Sequence, residues 1–157
     1  MKSIRNLIAA ASLAVLFLAP SAHAFGVSGV GGSGGILTPE GRDATGTFGM
    51  HIEMEEPGTR LHLVPGMMFW TSNGLSDVNP NFDLKYHLGD NTDITPYVGA
   101  GVGLHFRGNN TNDVGMNLLG GVRFPSNTAT FFVEGRHTVS DMSQTGVVAG
   151  ASFRLGR

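Results

Sequence analysis

The fold is decided by one stretch, Asn81-Phe82-Asp83-Leu84-Lys85-Tyr86-His87-Leu88, in which polar and apolar side chains alternate at every position. The odd-numbered positions are polar or charged, and the even-numbered positions are apolar. A repeat of two residues is typical of a β-strand, because successive side chains of a strand point to opposite faces of the sheet. This stretch therefore predicts a strand with one apolar face and one charged face.

The same alternation recurs along the chain. It is clear in residues 47–54, 95–107, 114–124, 130–136 and 146–155. Two weaker segments complete a set of eight. In residues 60–71 the phase is interrupted by Pro65-Gly66, where we expect a β-bulge that changes the phase before Trp70. The glycine-rich residues 26–37 are either a flexible linker or a first strand, and the strand is favoured.

Short polar segments rich in Gly, Pro, Asn and Ser separate these strands, as turns do. They lie at residues 39–42, 56–58, 72–74, 89–91, 108–110, 126–128 and 140–143. Their spacing leaves about 10–12 residues for each strand, near the 9–11 residues with which a tilted strand crosses a bilayer. Strands of soluble sandwiches are usually about 5–6 residues long. The sequence therefore predicts an all-β fold, an eight-stranded antiparallel up-and-down transmembrane β-barrel with short turns.

The first residues have the pattern of a secretory signal peptide. Two basic residues precede an apolar run over residues 7–18, and Pro20 and the small-residue site Ala22-His23-Ala24 follow. The run is too short for a helical membrane anchor, which needs about 20 apolar residues. We expect cleavage at that site, so that residues 1–24 are removed and residues 25–157 form the barrel domain.

Composition excludes several classes of protein. The chain has no Cys, which excludes a disulfide scaffold and every cysteine-based metal or nucleophile motif. A net charge of -2 argues against nucleic-acid binding, and 41% hydrophobic residues argue against disorder. The 24 glycines are about twice the usual share of roughly 7% and require a structural reason.

The glycines indicate which face of the barrel is inside. An eight-stranded barrel has an interior just wide enough for side chains to fill. Seven glycines lie on the polar face of their strands: Gly99, Gly101, Gly103, Gly115, Gly121, Gly146 and Gly150. The polar face is therefore predicted to line the lumen as an ion-paired plug, formed by Glu53, Asp83, Lys85, His87, His105, Arg123, Glu134, Arg136 and Arg154. The apolar face is predicted to contact lipid through Phe82, Leu84, Tyr86, Val98, Val102, Leu104, Phe106 and Phe153.

Three segments carry a resemblance to a known group of proteins: Tyr97-Val-Gly-Ala-Gly-Val-Gly-Leu-His-Phe106, Phe131-Phe-Val-Glu-Gly-Arg136 and Val147-Val-Ala-Gly-Ala-Ser-Phe153. Together they resemble the superfamily of small outer-membrane β-barrels, the opacity-type and OmpX-like proteins. The resemblance covers the last third of the chain well. It implies a Gram-negative outer membrane, contact with its lipid and lipopolysaccharide, and insertion by the barrel-assembly machinery.

No motif for catalysis or for a cofactor stands out. The histidines after residue 24 lie on different strands and lack metal-ligand spacing, so we expect no metal site. The glycines of residues 99–103 are not a dinucleotide motif, because a strand follows them where that motif needs a helix. His137 and Ser140 could serve a lipid A esterase, but their spacing puts them on opposite faces of a regular strand.

The favoured interpretation is a monomeric, non-enzymatic outer-membrane barrel with a structural or surface-interaction role in the cell envelope. Two alternatives stay open. One is a lipid A-modifying barrel enzyme, an esterase or deacylase, that uses His137 and Ser140. The other is a soluble periplasmic barrel of lipocalin type, which would need Phe82, Leu84, Tyr86 and Leu88 to point inward around an apolar ligand.

Overall fold

The computed structural model of the chain describes residues 25–89, 93–107 and 112–155. The signal-peptide prediction for residues 1–24 lies outside these residues. Among the described residues, no helix is long and apolar enough to cross a membrane.

Eight antiparallel strands form one closed barrel in which each strand pairs with its neighbours in sequence, and β1 also pairs with β8. This confirms the predicted eight-stranded up-and-down architecture. The strands are 11–14 residues long. They are β1 (Gly26–Pro39), β2 (Thr45–Glu55), β3 (Leu61–Ser72), β4 (Leu75–His87), β5 (Thr95–Arg107), β6 (Asn112–Pro125), β7 (Ala129–Val139) and β8 (Gln144–Arg154).

The glycine-rich first segment is a strand and not a linker. β1 pairs along its length with β2 on one side and with β8 on the other, so it closes the barrel. A register shift between Val27 and Gly29 places a β-bulge near its start.

The prediction of a β-bulge at Pro65-Gly66 is wrong. β3 keeps one register with β4 throughout, and its even-numbered residues face the lumen from His62 to Ser72. The expected change of phase before Trp70 would have turned this side chain outward. In the structure Trp70 is buried inside the barrel, so no change of phase is needed.

The tightest connection is the two-residue turn between β3 and β4. Asn73 and Gly74 have φ values of 52° and 76°. Positive φ at both central positions is the requirement of a type I′ hairpin turn, which Asn-Gly satisfies best. β4 consequently begins at Leu75, well before the alternating stretch from which it was predicted.

The two ends of the barrel differ in what they carry. Because the number of strands is even and all neighbours are antiparallel, the start of β1 and the end of β8 lie at the same end. We call this the terminus end. The opposite end, which carries the β1–β2 and β3–β4 connections, is called the hairpin end.

Candidate functional site

The lumen holds the polar side chains that were predicted to line it, with one exception. Glu53, Asp83, His87, His105, Glu134 and Arg136 are buried, and Lys85 and Arg123 are partly buried. Arg154 differs, because it is the last residue of β8 and is exposed. It lines the mouth of a cavity at the terminus end and does not join the buried network.

The predicted lipid-facing residues lie on the outside of the barrel. Leu84 is half-buried between its outward cross-strand neighbours. The others are 40–58% exposed: Phe82, Tyr86, Val98, Val102, Leu104, Phe106 and Phe153. This orientation is the reverse of what the lipocalin-like alternative needs.

A buried ion-pair cluster crosses the middle of the lumen from β4 to β7. Lys85 Nζ lies 2.5 Å from Glu134 Oε2, and the Tyr97 hydroxyl donates a hydrogen bond of 2.8 Å to the same oxygen. Arg136 Nη1 lies 3.7 Å from the other carboxylate oxygen of Glu134. The Glu134 carboxylate is only 2% exposed, and its charge is compensated by these partners.

A second carboxylate, that of Asp83, extends this cluster toward the hairpin end. Arg136 Nη2 donates to Asp83 Oδ2 over 2.9 Å, and Asn117 Nδ2 donates to Asp83 Oδ1 over 2.8 Å. Thr138 Oγ1 donates in turn to Asn117 Oδ1 over 2.9 Å. Both oxygens of Asp83 are therefore hydrogen-bonded, as a buried carboxylate requires.

Little free space is left around this cluster. Two cavities beside it have volumes of about 30 and 20 Å³. Each has room for only one or two water molecules. The described residues thus fill the middle of the barrel with side chains.

Toward the hairpin end the lumen contains an apolar cluster that the alternation of the sequence did not predict. It consists of Leu37, Met68, Trp70 and Val148, with Phe132 packed against it. His105 lies edge-on to Trp70, with ring centroids 6.1 Å apart. Above the cluster Arg42 Nη1, from the β1–β2 connection, pairs with Asp77 Oδ2 at 2.8 Å.

At the terminus end, four polar side chains meet beside an open cavity of about 790 Å³. Arg123 Nη2 lies 2.9 Å from Glu53 Oε1, and Arg123 Nη1 lies 3.1 Å from His87 Nε2. His62 Nδ1 lies 3.1 Å from the same Glu53 oxygen, and the His62 and His87 rings have centroids 3.9 Å apart. The structure therefore brings together two histidines that are far apart in the sequence. The alternation could have indicated their proximity, because both point inward on the neighbouring strands β3 and β4.

The pair of residues considered for a lipid A esterase has other partners. His137 Nδ1 is 2.8 Å from Thr145 Oγ1 on the outer face of β7 and β8. Ser140 Oγ donates to the Met142 carbonyl oxygen over 2.8 Å within its own turn. His137 therefore contacts a threonine hydroxyl and Ser140 contacts a backbone carbonyl, so these two residues do not make the Ser–His hydrogen bond that activates a serine nucleophile.

The packing of the central cluster depends on a glycine, Gly101 on β5. A Cβ at this position would collide with the Phe82 carbonyl oxygen and the Asp83 carboxylate, and would lie 2.7 Å from Asp83 Cα. Because backbone atoms cannot move aside cheaply, we expect Gly101→Ala to destabilise the barrel by about 1–3 kcal/mol. Urea unfolding of the protein in detergent or bilayers measures the loss.

The matched control is Gly120→Ala on the outer face of β6, where the nearest atom to a Cβ is the Tyr97 carbonyl oxygen at 3.7 Å. This substitution should change the free energy of unfolding by no more than about 0.5 kcal/mol. Equal effects of the two substitutions would show that the lumen is less tightly packed than described.

The fold and the lumen define a class, the closed up-and-down β-barrels with side-chain-filled interiors. Neisserial surface protein A (NspA) has this fold: its crystal structure matches with a TM-score of 0.71 and 11% identity, over 81% of this chain and 96% of that one. A de novo designed transmembrane β-barrel matches with a TM-score of 0.53 and 16% identity, over 82% and 97%. The designed barrel TMB2.3 matches with a TM-score of 0.50 and 19% identity, over 84% and 98%.

No protein-family model matches the sequence, and no curated protein matches it. At the identities found, the structural matches concern the fold alone.

Proposed function

We propose that the protein is a small integral outer-membrane β-barrel, exported by an N-terminal signal peptide, with a structural or surface-interaction role in the Gram-negative envelope. One observation carries the proposal, the inversion of polarity between the two faces of the wall. Among the strand residues whose side chains the structure describes, no Asp, Glu, Lys or Arg occupies an outward position, while the lumen contains buried ion pairs. A soluble barrel has the opposite arrangement.

Aromatic side chains near both ends of the outer face support a membrane location. Phe48 and Phe69 stack at the hairpin end with ring centroids 5.1 Å apart. At the terminus end lie Tyr86, Phe124, Phe131 and Phe153. Membrane barrels carry such aromatic girdles at both interfaces, on either side of an apolar band about 25 Å tall.

The closed lumen supports a structural or surface role more than a diffusion role. Cavities of about 30 and 20 Å³ beside the central ion pairs are too small for a solute. We therefore propose a monomer that is surrounded by outer-membrane lipid and lipopolysaccharide and inserted by the barrel-assembly machinery. An enzymatic role for His137 and Ser140 is not favoured, since each is hydrogen-bonded elsewhere.

Single cysteines at two adjacent positions of β4 test the orientation of the wall. Position 83 is 2% exposed and inward, and position 84 is outward. In membranes that contain the folded protein, a lipid-soluble thiol probe should label Leu84→Cys and spare Asp83→Cys. Since the native chain has no Cys, no background labelling of this protein arises.

Fractionation and gel migration of the same preparations test where the protein is located. The protein should fractionate with the outer membrane, and the folded form should migrate differently from the boiled form on a gel. Recovery in the soluble periplasmic fraction, or labelling at position 83 with protection at position 84, would contradict the proposal.

A further inference from the structure

Three side chains with metal-binding atoms lie together at the terminus end. Glu53, His62 and His87 come from the consecutive strands β2, β3 and β4. Their donor atoms all lie within 4.8 Å of one another. All three face inward on one side of the barrel wall, so a single small ligand could contact them together.

These donor atoms already surround a positive group. The Arg123 guanidinium lies 2.9 Å from Glu53 Oε1 and 3.1 Å from His87 Nε2. Arg123 belongs to β6, which is four strands away from β2 in either direction round the barrel. It therefore reaches across the lumen, and its side chain can withdraw without moving the strands that carry the three donors.

One of the donors is poorly satisfied in this arrangement. Nδ1 of His62 is buried and lies 3.1 Å from Glu53 Oε1, in a geometry that is poor for a hydrogen bond. A buried polar atom with a poor hydrogen bond is costly. A cation bound between the nitrogen and the carboxylate would satisfy both of them.

The site is accessible from the terminus end. Glu53, His62, His87 and Arg123 all line the open cavity of about 790 Å³. The cavity gives an ion an entry path and gives the Arg123 side chain room to withdraw toward Asp93, which lines it too. The nearby Lys85 ammonium is paired with Glu134.

We infer that Glu53, His62 and His87 bind a divalent transition-metal ion of the zinc type, which replaces the Arg123 guanidinium. Two imidazoles and one carboxylate are ligands that Zn²⁺ accepts, with water in a fourth position. A tetrahedral ion needs donor atoms about 3.3 Å apart, so the three side chains must rotate toward one another from separations of up to 4.8 Å. The inference concerns the inner wall only and is independent of the membrane location.

Titration of the folded full chain tests the inference. The protein is purified without a polyhistidine tag, folded in detergent and titrated with Zn²⁺ by calorimetry and with Co²⁺ by visible absorption. We expect one ion per chain. His62→Asn and His87→Asn should each weaken binding by at least about tenfold. Removing a residue that only supports a metal ligand already costs about 10–100-fold in affinity, so removing a ligand should cost no less. Arg123→Gln should tighten it, because the competing cation is gone.

His137→Asn is the matched control, since His137 lies on the outer face and its loss should leave the affinity unchanged. Heat-modifiable migration and circular dichroism establish that each variant is folded, and His87→Gln replaces His87→Asn if the latter is not. Binding that is equal in the wild type and both histidine variants, or absent from Arg123→Gln, would overturn the inference.

Discussion

Val102→Arg should lower the free energy of unfolding of the barrel in a bilayer by about 2–4 kcal/mol. Val102 lies near the middle of β5 and points outward with 44% of its surface exposed. If the outer face contacts hydrocarbon, an arginine there must place its charge close to the bilayer midplane. Reversible urea unfolding into and out of lipid vesicles measures the change.

The depth dependence of this effect is the control. Phe153→Arg introduces the same side chain close to the terminus end, where the cost should fall to about 0–1 kcal/mol apart from the lost phenyl ring. In an aqueous environment neither arginine would be penalised for its depth. Equal, small effects at both positions would therefore remove the membrane interpretation of the outer face.

The strand architecture could be predicted because burial and polarity follow the period of two in most strands. In β4, Asp83 and Lys85 face the lumen while Phe82 and Tyr86 face outward, as the alternation indicates. The predicted direction of side chains was wrong in β3, because both faces of this strand are apolar toward the hairpin end. Met68 and Trp70 fill the lumen there, so hydrophobicity did not report which way they point.

The sequence predicted that charged side chains would pair inside the barrel, but not which residues pair with which. Alternation placed Glu53 and Arg123 inside, but their contact joins β2 to β6 across the lumen. Such a contact depends on barrel closure and on the stagger between strands, which sequence spacing does not contain. The same reason explains why His62 and His87 were not recognised as neighbours. Arg42 was missed because it lies in a connection, where no periodicity reports direction.

The central ion-pair cluster makes Glu134→Gln the most damaging single substitution that we expect. The change preserves the volume of the side chain but removes the charge that Lys85 contacts at 2.5 Å and Arg136 at 3.7 Å. Breaking a buried ion pair from one side costs about 3–5 kcal/mol, because the remaining charge stays buried without compensation. Urea unfolding in lipid vesicles should show a loss of this size.

A second substitution distinguishes two causes of the expected instability, the uncompensated charge of Lys85 and a loss of side-chain packing. Lys85→Met in the Glu134→Gln background removes the stranded ammonium, so the double variant should be more stable than Glu134→Gln alone. Arg154→Gln, at the exposed end of β8, should change stability by no more than about 0.5 kcal/mol. If Glu134→Gln unfolded like the wild type, the lumen would have to be hydrated well enough to solvate Lys85. The side-chain plug would then be a wet channel, and diffusion through the barrel would become the better account of its role.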